Sequence, residues 1–227
     1  MLKSADEVTH IQEALRLMER VLADVATCFM NVGVSEKDVA TEIEYRVRQL
    51  GAEAMSFAPI VASAHRGALP HARPTGATLV AGERVVVDGY CSDITRSVSV
   101  ARDSARWTEI HAAVDEARQA AIDRIAPGVA AVDVDAAARA VLSDYGLADR
   151  FTHSLGHGVG LEVHEGPRLS SQSTDVLEPG MVVTVEPGVY IRGEGGIRLE
   201  DMIEVTSAGA RRLNDLPTTV LEAGKGE

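Results

Sequence analysis

LVAGERVVVDG at residues 79–89 and LEPGMVVTVEPG at residues 177–188 follow one pattern, and this pattern decides the fold. Each stretch has a leucine, a glycine three residues later, and an apolar run that ends in an acid. The acid is Asp88 in the first stretch and Glu186 in the second. Such apolar runs are typical of strands buried on both faces. A carboxylate at the end of a buried strand is costly unless it is paired or binds a metal.

The repeat continues into the helices that precede these strands. GVSEKDVATEIEYRVRQLG (33–51) matches GVAAVDVDAAARAVLSDYG (128–146), with the flanking glycines in register. Each half is therefore predicted to run helix, helix and then strands. A unit that occurs only twice indicates duplication within one domain rather than a solenoid, which needs at least about three units. The alternative is chance similarity of two α-β units, but the shared order, spacing and acidic positions favour duplication.

Four amphipathic helices are predicted, and their apolar faces are expected to form the core. The first begins with the capping-box pattern of Ser4 and Glu7. The apolar positions are Val8, Ile11, Leu15, Met18, Leu22 and Val25 in the first helix; Val39, Ile43, Val47 and Leu50 in the second; Trp107, Ile110, Val114, Ala117, Ala121 and Ile125 in the third; and Val134, Ala138, Val141, Leu142 and Tyr145 in the fourth.

The composition argues against several classes of partner. The 227 residues include 34 acidic and 22 basic ones, a net charge of −12, whereas nucleic acids and anionic membranes attract positive surfaces. No apolar run approaches the ~20 residues of a membrane span, and the charged start MLKSADEVTH lacks the apolar segment of a signal peptide. The two cysteines, Cys28 and Cys91, indicate no disulfide framework. We therefore expect a cytoplasmic protein that binds neither nucleic acid nor membrane.

The polar groups of the second half are concentrated in two segments. FTHSLGHGVGLEVHEGP (151–167) contains His153, His157 and His164, and the glycines beside His157 allow its backbone to approach other groups closely. GIRLEDMIEV (196–205) alternates like a single strand, with Arg198 and Glu200 on the same face.

These residues together predict a metal centre. The set consists of Asp88, Asp93, His157, Glu186 and Glu200. Each acid alone is better explained as a solvated strand end or as part of an ion pair. Gathered in one place, however, four carboxylates repel one another unless cations neutralise them. Carboxylates with one imidazole suit Mn²⁺, Fe²⁺ or Co²⁺, and two such ions can activate a water molecule and polarise a carbonyl.

Five segments resemble the pita-bread metallopeptidases, a family that includes Xaa-Pro aminopeptidases, prolidases and methionine aminopeptidases. They are ALPHARPT (68–75), SDITRS (92–97), HSLGHGVGLEVHEGP (153–167), LEPGMVVTVEPGVY (177–190) and GGIRLEDM (195–202). ALPH and GGIRLED are similar to the proline-directed branch. The resemblance extends from about Lys3 to Leu213. It implies an α+β pita-bread fold, in which helices cover a curved antiparallel sheet with an internal pseudo-twofold axis.

The resemblance also implies roles for particular residues. Those that match metal-ligand positions are Asp93, His157, Glu186 and Glu200. Those that match other site positions are His71, His153, His164, Glu186 and Arg198. His71 corresponds to a histidine lining the substrate site, and His164 to one that contacts the scissile carbonyl or its oxyanion. Glu186 would be both a metal ligand and a proton shuttle.

The hairpin between Asp88 and Asp93 departs from the family. Within VVVDGYCSDITRS (85–97), the part that matches the family pattern DxGAxxxGYxSDxTR is DGYCSDITR (88–96), which is about six residues shorter than the pattern. Asp88 is then either the first metal ligand beside a tight turn at 89–92, or the residue just before the Gly-Tyr pair, with the first ligand lost. Because Asp88 and Glu186 each lie six residues after a matching glycine, we favour Asp88 as the first ligand.

We therefore expect a peptidase with two divalent metal ions that hydrolyses the bond before proline in short peptides. Mn²⁺ is the first choice of metal, with Co²⁺, Fe²⁺ or Zn²⁺ as alternatives, and a homodimer is the default assembly. The alternatives are a catalytically impaired peptide-binding domain, or a non-peptidase hydrolase or lyase, since fold alone does not settle the reaction. Residues 1–227 are expected to form one catalytic domain without the N-terminal domain of proline-directed relatives. The protein is then either naturally short or trimmed.

Overall fold

A computed structural model describes residues 1–53, 55, 57–88, 93–101, 104–219 and 221–223. The predicted turn at 89–92, including Cys91, lies outside these residues. The helices are α1 (Ala5–Asp24), α2 (Glu36–Gln49), α3 (Ala105–Arg124) and α4 (Ala131–Asp144), with a π-helical turn at Val25–Phe29 and 3₁₀ turns at Ala64–Ala68 and Ala148–Arg150. The strands are β1 (Ile60–Ser63), β2 (Arg84–Asp88), β3 (Thr95–Val100), β4 (Gly156–Gly158), β5 (Glu165–Leu169), β6 (Val182–Val185), β7 (Gly188–Ile191), β8 (Gly195–Arg198), β9 (Asp201–Thr206), β10 (Gly209–Arg212) and β11 (Leu221–Ala223).

The four predicted helices are present, and their sequences account for where they begin. Ser4 caps α1 in a capping box with Glu7, and Ser35 caps α2 in the same way. Most of the predicted apolar positions are buried. Leu50 and Tyr145 are exceptions, with 40% and 50% of their surfaces exposed, because each is the C-cap residue of its helix.

The described strands form three sheets. A four-stranded sheet has the order β1-β2-β3-β11, a five-stranded sheet has the order β10-β9-β6-β4-β5, and β7 pairs with β8. The pairs are antiparallel except for β11, which lies parallel to β3. The predicted α+β class is therefore confirmed, with the strands divided among separate sheets.

The predicted repeat is visible in the backbone hydrogen bonds. Gly33 N donates to Leu79 O (2.9 Å) in the first half, and Gly128 N donates to Leu177 O (2.8 Å) in the second. These matching bonds join the loop before the second helix of each half to the chain that leads into its buried strand. A separate apolar cluster lies under the helices of each half, as expected for duplication within one domain.

Matching glycines also share an unusual backbone conformation. Gly82 and Gly180 have φ values of +87° and +89°, a region that side-chain-bearing residues rarely adopt. Each glycine turns the chain into the strand that ends at a predicted site acid. The glycine turn is therefore part of the repeated unit.

The segment 196–205 differs from the predicted single strand. It forms β8 and β9, with Leu199 and Glu200 between them. The break arises because β8 pairs with β7, whereas β9 pairs with β6 and β10. Glu200 therefore lies where the chain passes from one sheet to another.

Candidate metal centre

Strand ends bring the predicted carboxylates together. Asp88 is the last residue of β2 and is paired in register with Thr95 of β3, and Asp93 lies two residues before Thr95. Glu186 directly follows β6, and Glu200 lies between β8 and β9. Asp88, Asp93 and Glu200 are buried, so these carboxylates lie inside the protein rather than at solvated strand ends.

Three of these residues form a compact cluster of potential metal ligands. Ligand atoms of Asp93, His157 and Glu200 all lie within 4.8 Å of one another. His157 Nε2 lies 3.2 Å from Asp93 Oδ2 and 3.5 Å from Glu186 Oε1. The structure therefore places Glu186 beside the cluster as well.

The backbone around His157 fixes the orientation of its ring. The Nδ1–H of His157 donates to Gly158 O (3.1 Å), which leaves the Nε2 lone pair facing the carboxylates. The preceding Gly156 lies against β6, where an added Cβ would be 2.0 Å from Thr184 O. The predicted close approach of this glycine is therefore confirmed, since a larger residue would displace His157.

The carboxylates fit a divalent cation. Asp88 Oδ1 and Glu200 Oε1 are buried, and neither has a hydrogen-bond partner among the described residues. Buried polar atoms are usually partnered, and a carboxylate oxygen facing other carboxylates has the chemistry of a metal ligand. Oxygen donors with one imidazole nitrogen suit hard to borderline divalent ions.

Without a cation, the carboxyl groups resist ionisation. Burial and the neighbouring Asp88 and Glu186 raise the pKa of Asp93 well above its usual range. Burial and Glu200 raise the pKa of Glu186 to about 8. Burial and Asp93 raise the pKa of Glu200 well above its usual range. Burial also raises the pKa of Asp88, although the charge of Arg198 opposes this. This mutual repulsion is what a bound cation would relieve.

Arg198 connects the two halves of the site. This fully buried guanidinium donates from Nη2 to Asp88 Oδ2 (2.6 Å), from Nε to Thr95 Oγ1 (2.9 Å) and from Nη1 to Pro70 O (3.1 Å). Burial lowers the pKa of Arg198, but Asp88 and other acidic groups outweigh burial and raise this pKa well above its usual value. Thr95 Oγ1 in turn donates to Glu200 Oε2 (2.6 Å). Arg198 and Thr95 therefore hold a carboxylate from each half.

Two further predicted histidines lie near this cluster. His153 accepts at Nε2 from the Tyr190 hydroxyl (2.9 Å) and donates from Nδ1 to Ser154 O (2.8 Å). Burial and the charge of Arg198 lower the pKa of His153 to about 4, so its ring is neutral at pH 7. The ring of His164 lies 4.2 Å from that of His157, centroid to centroid. Burial and His157 lower the pKa of His164.

His71 lies on the segment after the 3₁₀ turn Ala64–Ala68 and is an exposed residue. The preceding residue, Pro70, accepts a hydrogen bond from Arg198 Nη1 at its backbone oxygen (3.1 Å), which brings His71 next to the site. The structure therefore places all of the predicted site residues in one region.

Sequence reasoning did not assign Thr95, Tyr190 or Thr184 to this site. Thr184 Oγ1 accepts from His157 N (3.1 Å) and donates to Glu186 Oε1 (3.4 Å). Thr95 could have been predicted from the alternation of side chains along the strand, because it lies on the same face as Asp93. Tyr190 could not have been predicted from neighbouring residues, because its hydrogen-bond partner, His153, is distant in the sequence.

The comparisons with known proteins agree with this geometry. The family model of metallopeptidase family M24 matches residues 9–207. The chain is 41% identical to the uncharacterized peptidase YqhT of Bacillus subtilis and 40% identical to the Xaa-Pro dipeptidase of Pyrococcus furiosus. These alignments cover 97% and 94% of this chain but only 64% and 63% of those proteins. The chain belongs to metallopeptidase family M24.

Solved structures give the same assignment. The Xaa-Pro dipeptidase from Bacillus anthracis superposes with a TM-score of 0.94 at 39% identity, over 97% of this chain and 64% of that one. The X-Pro aminopeptidase from Thermotoga maritima gives a TM-score of 0.95 at 36% identity, over 98% and 65%. These matches confirm the pita-bread fold. None of the helices in the described residues is both long enough and apolar enough to span a bilayer.

Proposed function

We propose that this chain is the catalytic part of a dinuclear-metal peptidase that hydrolyses the bond before proline in short peptides. The observation that carries the proposal is the cluster of Asp93, His157 and Glu200 beside the unpartnered buried oxygens of Asp88 and Glu200. Similarity to the Xaa-Pro dipeptidase of P. furiosus supports the choice of substrate.

The residues that would hold the two ions are Asp88, Asp93, His157, Glu186 and Glu200. We take Mn²⁺ as the metal, because carboxylate oxygens dominate the donor set. When bound, the ions lower the pKa of water and polarise the scissile carbonyl. A homodimer, expected from the family resemblance, and a cytoplasmic location, expected from the composition, complete the proposal.

The other site residues act on protons and on developing charge. Glu186 transfers a proton towards the leaving amine, which is a general acid–base role. His164 and His71 donate hydrogen bonds to the carbonyl oxygen as it becomes negative, and each such donor is typically worth about 3 kcal/mol. Burial and the charge of Arg198 lower the pKa of His153 and keep its ring neutral. The hydroxyl of Tyr190 orients this ring beside the reacting bond.

A cleft lies next to His153. Its volume is about 700 Å³, and its lining includes Arg139, Arg168 and the polar segment 170–175. Small-ligand sites have volumes of about 300–1,000 Å³. Its lining contains none of the five candidate metal ligands, so the cleft lies beside the metal centre rather than in it.

The test compares Ala-Pro with Ala-Ala as substrates of the Mn²⁺-loaded protein. We expect Ala-Pro hydrolysis to fall at least about 100-fold in Glu186→Gln and in His157→Ala. Ser99→Ala is the matched control, because this buried hydroxyl has no hydrogen-bond partner among the described residues. Wild-type rates in Glu186→Gln, or equal cleavage of Ala-Ala, would refute the proposal.

A further inference from the structure

Glu36, in the first turn of α2, is a buried carboxylate outside the metal centre. Its side chain has no exposed surface. It accepts hydrogen bonds from Ser63 N (2.8 Å) and Ser63 Oγ (3.0 Å), and from Thr75 N (2.9 Å) and Thr75 Oγ1 (2.8 Å). The Nε of Arg66 pairs with both of its oxygens at 3.0–3.1 Å. A carboxylate with this many donors is strongly fixed in place.

These donors come from both ends of one segment. Ser63 ends β1, and Thr75 lies twelve residues later, so a single carboxylate closes residues 63–75 into a loop, here called the 63–75 loop. Arg66 adds a bond across the loop, from Nη2 to Arg73 O (2.6 Å). The backbone of α2 contributes a further bond, from Lys37 N to Thr75 O (3.0 Å).

The 63–75 loop carries groups that face the metal centre. Pro70 O accepts from Arg198 Nη1 (3.1 Å), and the next residue is His71. The loop also lies tightly against β8, because a Cβ added at Gly196 would be 2.2 Å from Gly67 O. A shift of the loop would therefore move His71 relative to the carboxylates.

Closure of the 63–75 loop depends on the negative charge of Glu36. Burial raises the pKa of Glu36, but the hydrogen bonds from Ser63 and Thr75 outweigh burial and leave the pKa below its usual value. Glu36 is therefore ionised at neutral pH and accepts at both oxygens. A glutamine would present an NH₂ group to donors at one of these positions, which leaves buried donors unpaired.

The second half of the repeat contains a comparable arrangement. Asp135 of α4 is fully buried, accepts from Leu155 N (3.1 Å) and pairs with Arg139 (2.6 Å). Arg139 donates to the carbonyl oxygens of Phe151 (3.1 Å) and His153 (2.8 Å). In each half, a buried carboxylate of the second helix thus fixes a segment that carries a site histidine.

We propose that Glu36 is a positioning residue for the reaction: by closing the 63–75 loop, it sets the place of His71 beside the metal centre. This inference rests on the proposed function. Glu36 touches neither substrate nor metal and acts only through the loop.

A double-mutant cycle tests the proposal. A displacement near 1 Å can cost about 100-fold in rate, so Glu36→Gln is expected to lower kcat/KM for Ala-Pro by about 10- to 100-fold, with Mn²⁺ content unchanged. In a His71→Ala background the same substitution should change kcat/KM by less than about twofold. If Glu36→Gln lowered kcat/KM in the His71→Ala background by the same factor as in the wild-type protein, the proposal would be overturned.

Glu19→Gln is the matched control. Glu19 is a buried carboxylate of α1 that accepts from the backbone N–H groups of Asp215 and Leu216, away from the 63–75 loop. This control should lose stability but keep kcat/KM within about twofold. If Glu36→Gln does not fold, Thr75→Val removes only the two bonds of this hydroxyl, to Glu36 Oε2 (2.8 Å) and from Ala77 N (3.2 Å), and the same cycle applies.

Amide hydrogen exchange separates this inference from the proposed function. Exchange in residues 64–72 should rise at least about tenfold in Glu36→Gln, and should not change in Glu19→Gln. This result does not depend on hydrolysis, so a wild-type protein that fails to cleave Ala-Pro would refute the function alone. Unchanged exchange in residues 64–72 of Glu36→Gln would refute the positioning role.

Discussion

Replacing Thr95 with valine tests whether the network behind the carboxylates holds the metal centre. The Thr95 hydroxyl donates to Glu200 Oε2 (2.6 Å) and accepts from Arg198 Nε (2.9 Å). Both partners are buried, and a hydrogen bond to the charged Arg198 contributes about 1.5–3 kcal/mol, whereas one to the protonated Glu200 carboxyl contributes about 0.5–1.5 kcal/mol. Valine has nearly the same shape, so no cavity is added. We expect the free energy of unfolding to fall by about 3 kcal/mol.

The metal affinity should fall as well. Glu200 without its hydroxyl partner is free to rotate, and loss of a group that orients a metal ligand typically weakens metal affinity about 10- to 100-fold. Isothermal titration of the metal-free protein with Mn²⁺ measures this change, and urea unfolding measures the stability.

Ser99→Ala is again the matched control for the Thr95 substitution. Ser99 lies on the same buried strand, but its hydroxyl has no hydrogen-bond partner among the described residues. Its removal should change the Mn²⁺ Kd by less than about twofold. A Thr95→Val protein with the wild-type Kd, or a Ser99→Ala protein that is equally weakened, would refute the reasoning.

Three further predictions follow from the same geometry. First, the pKa of Glu186 is raised from 4.5 to about 8 in the folded metal-free protein. The protonated Glu186 therefore stabilises the folded state fully below pH 4.5, and this stabilisation is lost as the pH rises through about 8. The free energy of unfolding should fall by at most about 5 kcal/mol over this range. Thermal unfolding between pH 5 and 8 should show this decline without metal, and saturating Mn²⁺ should remove it. Second, Asp135→Asn should lower kcat/KM for Ala-Pro about tenfold at unchanged Mn²⁺ content, because Arg139 then no longer holds His153 firmly; an unchanged kcat/KM would contradict this. Third, the His153 ring should stay neutral down to about pH 4, so a ring that titrates near pH 6.5 in an NMR experiment would contradict its burial.

Much of the fold was predictable from the sequence because duplication leaves a local signature. The matching glycines, the apolar runs and the acids after them lie at equal spacing in both halves, and the structure places them equivalently. His157 could be identified because its flanking glycines indicate a close backbone approach. These signals all lie within a few residues of one another.

The features that were missed depend on contacts between distant parts of the chain. The alternation of residues 196–205 continues across the change of sheet at Glu200, so the sequence pattern does not reveal the break. Thr95 meets Arg198 from the other half of the repeat. Glu36 resembles an ordinary acid in the first turn of a helix, and only the position of the 63–75 loop shows that it is buried. Local periodicity predicts the elements, whereas it does not predict which polar groups face each other across them.

The most direct test of the central claim is the metal stoichiometry of the protein. After loading with Mn²⁺ and removal of the excess, elemental analysis should give two ions per chain in the wild-type protein, and fewer than two in His157→Ala and Asp88→Asn. Two ions would mean that Asp88 and Asp93 complete a dinuclear centre despite the short hairpin. One ion or none in the wild-type protein would contradict this account.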